Sequence, residues 1–348
     1  METTTLRAGG AAALRVAGPA GTPDGVRAAQ AASRPPGWSV GVDVGGTKVL
    51  AVLLDADGRV ARTHRAPTVA GPDGVLDAVT TAVRSLATAQ GLALERLVGV
   101  GVGVPGVVDP VTGTLEHAVN VGVAHPFALA AAATAVLGGR TVVRVENDLN
   151  VAVLGAAHTV PGPDRAGHAR DLAFLALGTG VAAGLLLDGQ LRRGTHRAAG
   201  EVGHLTLVPD GLACKCGQRG CVEQYASGSA LDAAWPSTDG RPAPAVLFEA
   251  AAAGDPDAVR VRDRFAWAVG AAVRVLVLTC DVDRVVVGGG VSNVGAPLLH
   301  AVRAALDAEA AASPFLASLR LADRVRLAPP GVPVGAVGAA LVGRGEVV

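Results

Sequence analysis

Three of the four cysteines in this chain, Cys214, Cys216 and Cys221, crowd into "ACKCGQRGCVE", and His204 precedes the first by ten residues. One imidazole and three thiolates satisfy tetrahedral zinc. Gly217 and Gly220 let the chain fold sharply around an ion. A redox pair needs a CxxC spacing, and Cys214 and Cys216 are separated by one residue only. Four protein ligands leave no open position for water, so the cluster reads as structural zinc, a clip over about residues 201–223. A metal on one nitrogen of His204 leaves the other free to meet a ligand. Glu223, just past Cys221, is pinned by the same clip. Loss of the clip is therefore expected to weaken a ligand held by His204 and Glu223, with little effect on distant phosphate turns.

A second constellation handles phosphate. In "VDVGGTK", Asp43 ends an apolar run, and Gly45, Gly46, Thr47 and Lys48 follow. Such a turn offers backbone N–H groups and a hydroxyl to an anion. It is equally a plain hairpin turn, and the Walker spacing is absent. "LGTGVAAG" repeats the device with Gly178, Thr179 and Gly180. Two such turns facing each other across a cleft would hold phosphate between two lobes. "VVVGGGVSNVG" brings Gly288, Gly289 and Gly290 to the end of a strand, where a flat ligand can approach the backbone. That stretch is also readable as a simple connection, and it is not a dinucleotide fingerprint.

The acid–base groups lie in "VENDLN" and "GEVGH". A strand ending in Glu146, Asn147 and Asp148 delivers them to its carboxyl end, where α/β sheets place ligands. Asp148 would act as general base beside an amide that orients a polyhydroxyl ligand. Asn147 and Asp148 would also serve as caps for the next helix. Glu201 and His204, three apart, share a face if helical, although Gly203 permits a turn. Cys280 reads as a small buried hydrophobe.

These groups need a scaffold, and the composition supplies one. Half of the 348 residues are hydrophobic, enough for two domains. Net charge is zero and aromatics are 3 %, which argues against a nucleic-acid partner. No apolar run is long enough for a spanning helix, and no signal peptide is evident. Four unevenly spaced thiols do not form a secreted disulfide framework, which points to a reducing cytoplasm. Arginine carries almost all the positive charge; the only lysines are Lys48 and Lys215, both in glycine-rich motifs.

Residues 1–37 are rich in Ala, Gly, Pro and Thr and read as a disordered leader. Strands are expected at "WSVGVDV", "KVLAVLL", "LVGVGVGV" and "RTVVRVEN", and helices at "GPDGVLDAVTTAVRSLATAQG", "HPFALAAAATAVLGG" and "LNVAVLGAAH". The pattern then restarts at "DLAFLALGTG" and "VAAGLLLDG", followed by a helix over 257–280, a strand at "RVVVGGG", and helices near 295–312 and 333–343. "GGTKVLAVLLDADG" and "GTGVAAGLLLDGQ" are weakly similar, which suggests two α/β lobes on a duplicated hairpin plan.

Taken together, "DVGGTK", "GVGVPGVVD", "VENDLN", "LGTGVAAG", "GEVGH", "CKCGQRGCVE" and "VVGGGVSNVG" resemble the ROK family of sugar kinases and related repressors, in family order across roughly residues 39 to 343. The resemblance implies an α/β, two-lobed actin-like ATPase fold of the ribonuclease H type, with ATP and a hexose in the interlobe cleft. It implies a small lobe of 38–148 plus 332–348 and a large lobe of 149–331. Asp43 and the 45–48 turn would handle phosphate and Mg²⁺, with Gly178, Thr179, Gly180 and Gly288–Gly290 completing the nucleotide site. Asp148 would be the base. Gly106, Asn120, Asn147, Glu201, His204 and Glu223 would hold the sugar, and His204, Cys214, Cys216 and Cys221 would bind structural Zn²⁺. The implied activity is that of a glucokinase-type hexokinase, in a homodimer or homotetramer. The alternatives are a kinase for N-acetylhexosamine, mannose or fructose, and a sugar-responsive repressor. The repressor needs a winged helix-turn-helix, for which residues 1–37 are too short and irregular.

Overall fold

The computed structural model describes residues 37–160 and 170–345. The expected leader lies outside these residues apart from Gly37. The first sheet is built from β1 (Trp38–Val44), β2 (Lys48–Leu54), β3 (Val60–Pro67), β4 (Leu97–Val104) and β7 (Val143–Asn147), in the order β3-β2-β1-β4-β7. β5 (Val107–Asp109) and β6 (Thr114–Glu116) form a separate hairpin. The second sheet contains β8 (Leu172–Leu177), β9 (Val181–Leu187), β10 (Gln190–Leu191), β11 (Arg284–Gly288) and β12 (Val325–Leu327), in the order β10-β9-β8-β11-β12.

The two sheets share one plan. In each, the first strand pairs antiparallel with the second, and the second with the third. On its other side, the first strand pairs parallel with the fourth, and the fourth with the fifth. The weak similarity between the two hairpins is thus a repeated topology, and each glycine-threonine turn joins the first two strands of its sheet.

The alternation of residues along β4, "LVGVGVGV", sets how the first sheet is covered. Val100, Val102 and Val104 point to one face and join Val75, Val79, Val83 and Leu86 of the Pro72–Ala89 helix in one core cluster. The glycines between them point to the opposite face. A Cβ at Gly101 would lie 1.7 Å from the Ala339 carbonyl, and one at Gly99 2.0 Å from that of Gly343. Only glycine lets the Val334–Gly343 helix lie this close to the strand. Asp43 lies on this same face of β1, so its carboxylate abuts Gly335 near the helix N-terminus.

The second sheet is covered likewise. Leu175 and Leu177 face Phe265, Val269 and Val273 of the Pro256–Cys280 helix. Leu172 and Phe174 face Val151, Val153 and Leu154 of the Asp148–Thr159 helix. That helix and Val334–Gly343 cross in direct backbone contact: a Cβ on Gly155 would sit 1.8 Å from the Val334 carbonyl, and one on Gly338 1.7 Å from that of Val151. These two helices form the seam between the sheets, and Asp148 stands at the start of one of them.

Local differences from the sequence reading follow from capping and turn chemistry. The alanine-rich stretch after Pro126 is helical only over Leu129–Val136, ending ahead of Gly138 and Gly139. The glycine run after β11 leads into a 3₁₀ turn, Gly290–Val294, before the Ala296–Ala311 helix. Val202–His204 is a single 3₁₀ turn, so Glu201 and His204 are not stacked on a helix face.

Candidate active site

Asp148 is positioned by its neighbour. The Asn147 side-chain oxygen accepts the backbone N–H groups of Leu149 at 2.9 Å and Asn150 at 3.3 Å, capping the helix. Its amide nitrogen donates to the Gly106 carbonyl at 3.1 Å. Asn147 thus caps the helix and also borders a cavity. Behind it, Glu146 is buried, with 2 % of its side chain exposed. One Glu146 oxygen takes the Arg193 guanidinium at 2.7 and 2.8 Å. The other accepts the Asn147 N–H at 3.0 Å and the Asn150 amide at 2.8 Å. A buried carboxylate with both oxygens engaged is a fixed support.

Two cavities meet at Asp148. The smaller, 310 Å³, is lined by Gly106, Asn120, Asn147, Asp148 and Glu201, together with Glu146, Arg193 and Arg197. The larger, 910 Å³, is lined by Gly45, Gly46, Thr47, Thr179, Gly180 and Glu223, and also by Asn120 and Asp148. Pro105, Asn120 and Asp148 are shared between the two. Both glycine-threonine turns thus open on one cavity and the polar groups on the other, with a carboxylate between.

The first turn is closed by the Gly45 N–H donating to the Lys48 carbonyl at 3.0 Å and braced by the Thr68 hydroxyl on the Gly45 carbonyl at 2.6 Å. The second is closed by the Gly178 N–H on the Gly180 carbonyl at 3.0 Å, and the Gly178 carbonyl accepts from Gly228 at 2.7 Å. Glu223 packs on this turn: its Oε2 accepts the Val181 N–H at 3.0 Å and fills the space beside Gly180.

Burial raises the Asp148 carboxyl above its ordinary value, and the nearby Glu201 charge adds to this; the Leu149 N–H opposes it. Asp43 is raised to about 7, first by burial and then by the charge of Asp148, with Lys48 opposing. Two acids this close, both pushed toward the protonated form, suit a site completed by a divalent cation.

Asp43, Lys48, Gly178, His204 and Gly288–Gly290 do not stand on the walls of either cavity. Gly289 lies against Leu177 at the end of β8, and Gly288 lies against Phe174. His204 belongs to the thiol cluster. Its ring nitrogen and the sulfurs of Cys214, Cys216 and Cys221 lie within 4.8 Å of one another, with His204 Nδ1 3.8 Å from the Cys214 sulfur. This spread and donor set fit a tetrahedral Zn²⁺. The amides of Gln224 and Gln218 reach the sulfurs of Cys214 and Cys216, each at 3.5 Å, and would orient the ligands. The backbone N–H of Gln218 leads in lowering the Cys216 thiol to about 7, whereas burial, with the neighbouring thiols, pushes Cys221 up to about 12.

The clip also touches more than the sequence suggested. Leu212, Lys215 and Gln224 line the larger cavity, which both glycine-threonine turns also line. Arg193 and Arg197 were not anticipated as wall residues. Nothing in "QLRRGTHRAAG" marks them, because their partners Glu146 and Asp109 are far away in sequence.

Paired sheets of identical topology, joined at a helical seam and with a glycine-threonine turn from each on one cavity, define the two-lobed actin-like ATPase fold. The ROK family model matches residues 39–344, and the chain belongs to the ROK family. It is 34 % identical over 286 residues to a glucokinase of Streptomyces coelicolor, covering 77 % of this chain and 86 % of that one. It is 32 % identical over 256 residues to an N-acetylmannosamine kinase of Citrobacter koseri, covering 73 % and 83 %. Among solved structures, a ROK family glucokinase from Streptomyces griseus in complex with glucose and AMPPNP superposes with a TM-score of 0.70 at 32 % identity, covering 89 % of this chain and 100 % of that chain. Among the described residues, no helix is long and apolar enough to cross a membrane.

Proposed function

We propose that this chain phosphorylates a hexose, glucose foremost, at the 6-hydroxyl with ATP, giving hexose 6-phosphate and ADP. The observation that carries the reading is the position of Asp148 on the wall common to the two cavities. The sugar would occupy the smaller cavity, held by Asn120, Glu201 and the Asn147 side chain. The triphosphate would lie in the larger one, between the turns at 45–47 and 179–180. Asp148 then faces the hydroxyl and takes its proton as the oxygen attacks the γ-phosphorus; the bond to the ADP oxygen breaks in line. Such a base contributes about 10²–10⁴-fold, and most of the remaining acceleration comes from positioning and charge stabilisation. Mg²⁺ bound with ATP would supply charge neutralisation. Asp43, set back from the cavity wall near the end of β1 and two residues before the first turn, is the carboxylate that would hold it.

The reading assigns residues 38–148 and 332–348 to one lobe and 149–331 to the other, with the zinc clip at 201–223 in the second. His204 supports the sugar site through the clip. A reducing cytoplasm keeps the four thiols free, and a homodimer or homotetramer is expected from the family.

The second reading is an N-acetylmannosamine kinase, favoured by the relative of that activity at 32 % identity. ADP release measured across glucose, mannose, fructose and the N-acetylated hexosamines separates the two. Glucose should give the highest kcat/KM. A preference for N-acetylmannosamine would replace the first reading with the second, and ADP release with none of them would reject both.

A further inference from the structure

The chain places only two lysines among its 30 basic residues. Lys48 closes the first phosphate turn. Lys215 sits in the clip, between two cysteines whose sulfurs turn into the thiol cluster, and it lines the larger cavity. It is exposed, and among the described residues no carboxylate pairs with it.

Arg264 lines the same cavity, and its guanidinium lies 4.9 Å from the centre of the Tyr225 ring. The Tyr225 hydroxyl accepts the Leu212 N–H at 2.9 Å, so one aromatic residue seats Arg264 and ties down the loop that carries Lys215. The carboxylates on this wall are Asp148, which also faces the smaller cavity, and Glu223, which is engaged by the Val181 N–H. Lys215 and Arg264 therefore offer two cations to whatever fills the space beside the turns.

We propose that Lys215 is a nucleotide-binding residue that pairs with the phosphate chain of the nucleoside triphosphate, with Arg264 as the second cation of the same site. The inference rests on the reading that the larger cavity holds ATP. A compact ammonium on a flexible stem suits a polyphosphate whose geometry changes during transfer. It also gives the clip a task beyond bracing the sugar site: a metal-organised loop delivers a charge to the phosphate donor.

The test uses the full-length protein with Lys215→Met and Lys215→Arg. Lys215 is not a metal ligand, so metal content and melting temperature should match the wild type in both. Loss of a charge-assisted contact should weaken MgADP binding, read by calorimetry, and raise the ATP KM by about tenfold in Lys215→Met. The hexose KM and the turnover at saturating ATP should stay within about twofold, and Lys215→Arg should recover most of the affinity. An ADP affinity and ATP KM within about twofold of wild type in Lys215→Met would overturn the proposal. An equal rise in the hexose KM would overturn it too, because the lysine would then act only through the loop. Failure of the wild type to release ADP with any hexose would sink the kinase reading instead, while the MgADP titration would still judge Lys215.

Discussion

The Glu223 carboxylate accepts the Val181 amide at 3.0 Å, which fixes the residue just past the thiol cluster to the start of β9, directly after the second glycine-threonine turn. The clip and the turn are therefore one mechanical unit. The sequence had suggested a clip that serves the sugar site alone, with the glycine turns distant from it.

The first prediction follows. Cys216→Ser replaces a thiolate by a far poorer zinc ligand and should lower bound zinc from about one per chain. The loop that carries Lys215 and leads into Glu223 should loosen, so KM should rise for ATP as well as for the hexose. Metal analysis with two-substrate kinetics checks this. A wild type without zinc that keeps full activity after chelation would show that the cluster has another role.

A second prediction concerns Asp43, held at about 7 in the folded chain against 3.8 for an ordinary aspartate. A raised folded value means that the folded state keeps a proton which the unfolded state has lost. This contribution therefore makes stability fall as pH rises from about 4 to about 7. Asp43→Asn removes the ionisation and should be more stable than wild type at pH 7.5, with the gap shrinking toward pH 4.5. Thermal melts across that window decide it; a gap that does not change with pH would contradict the assignment.

Much of this site was legible because its chemistry is local in sequence. The spacing of His204, Cys214, Cys216 and Cys221 announced the cluster, and "VENDLN" announced a carboxylate at a strand end. What was not legible is long-range pairing. Glu146 finds Arg193 across 47 residues, and Glu223 finds the Val181 amide across 42. No local pattern encodes such partners, since they are brought together only by the tertiary fold. The glycines of β4 are an intermediate case. They read as part of a buried strand, but that they make room for the Val334–Gly343 helix became visible only with the helix in place.

A third prediction tests the seam. Gly155→Val would drive a side chain into the Val334 carbonyl, 1.8 Å from the position of its first carbon. Helix backbones cannot yield there without separating, so the variant should lose at least about 1–3 kcal/mol, the usual cost of overpacking. Urea denaturation measures it. A change within about 0.5 kcal/mol, the range of ordinary surface substitutions, would show that the helices do not need this close crossing.

In the proposed reaction Asp148 removes the proton from the sugar hydroxyl, and Asp148→Asn takes away the group that accepts it. The amide keeps the shape and can still accept the Leu149 N–H, so the fold and hexose binding should persist. It cannot take a proton. In the wild type, burial holds the carboxyl above the usual range, so kcat/KM should fall on the acid side at a pH above 3.8. Steady-state kcat of Asp148→Asn, with hexose affinity measured by calorimetry, is the decisive measurement. The account predicts a drop in kcat of about 10²-fold or more at nearly unchanged hexose affinity. A drop of less than about tenfold would contradict it.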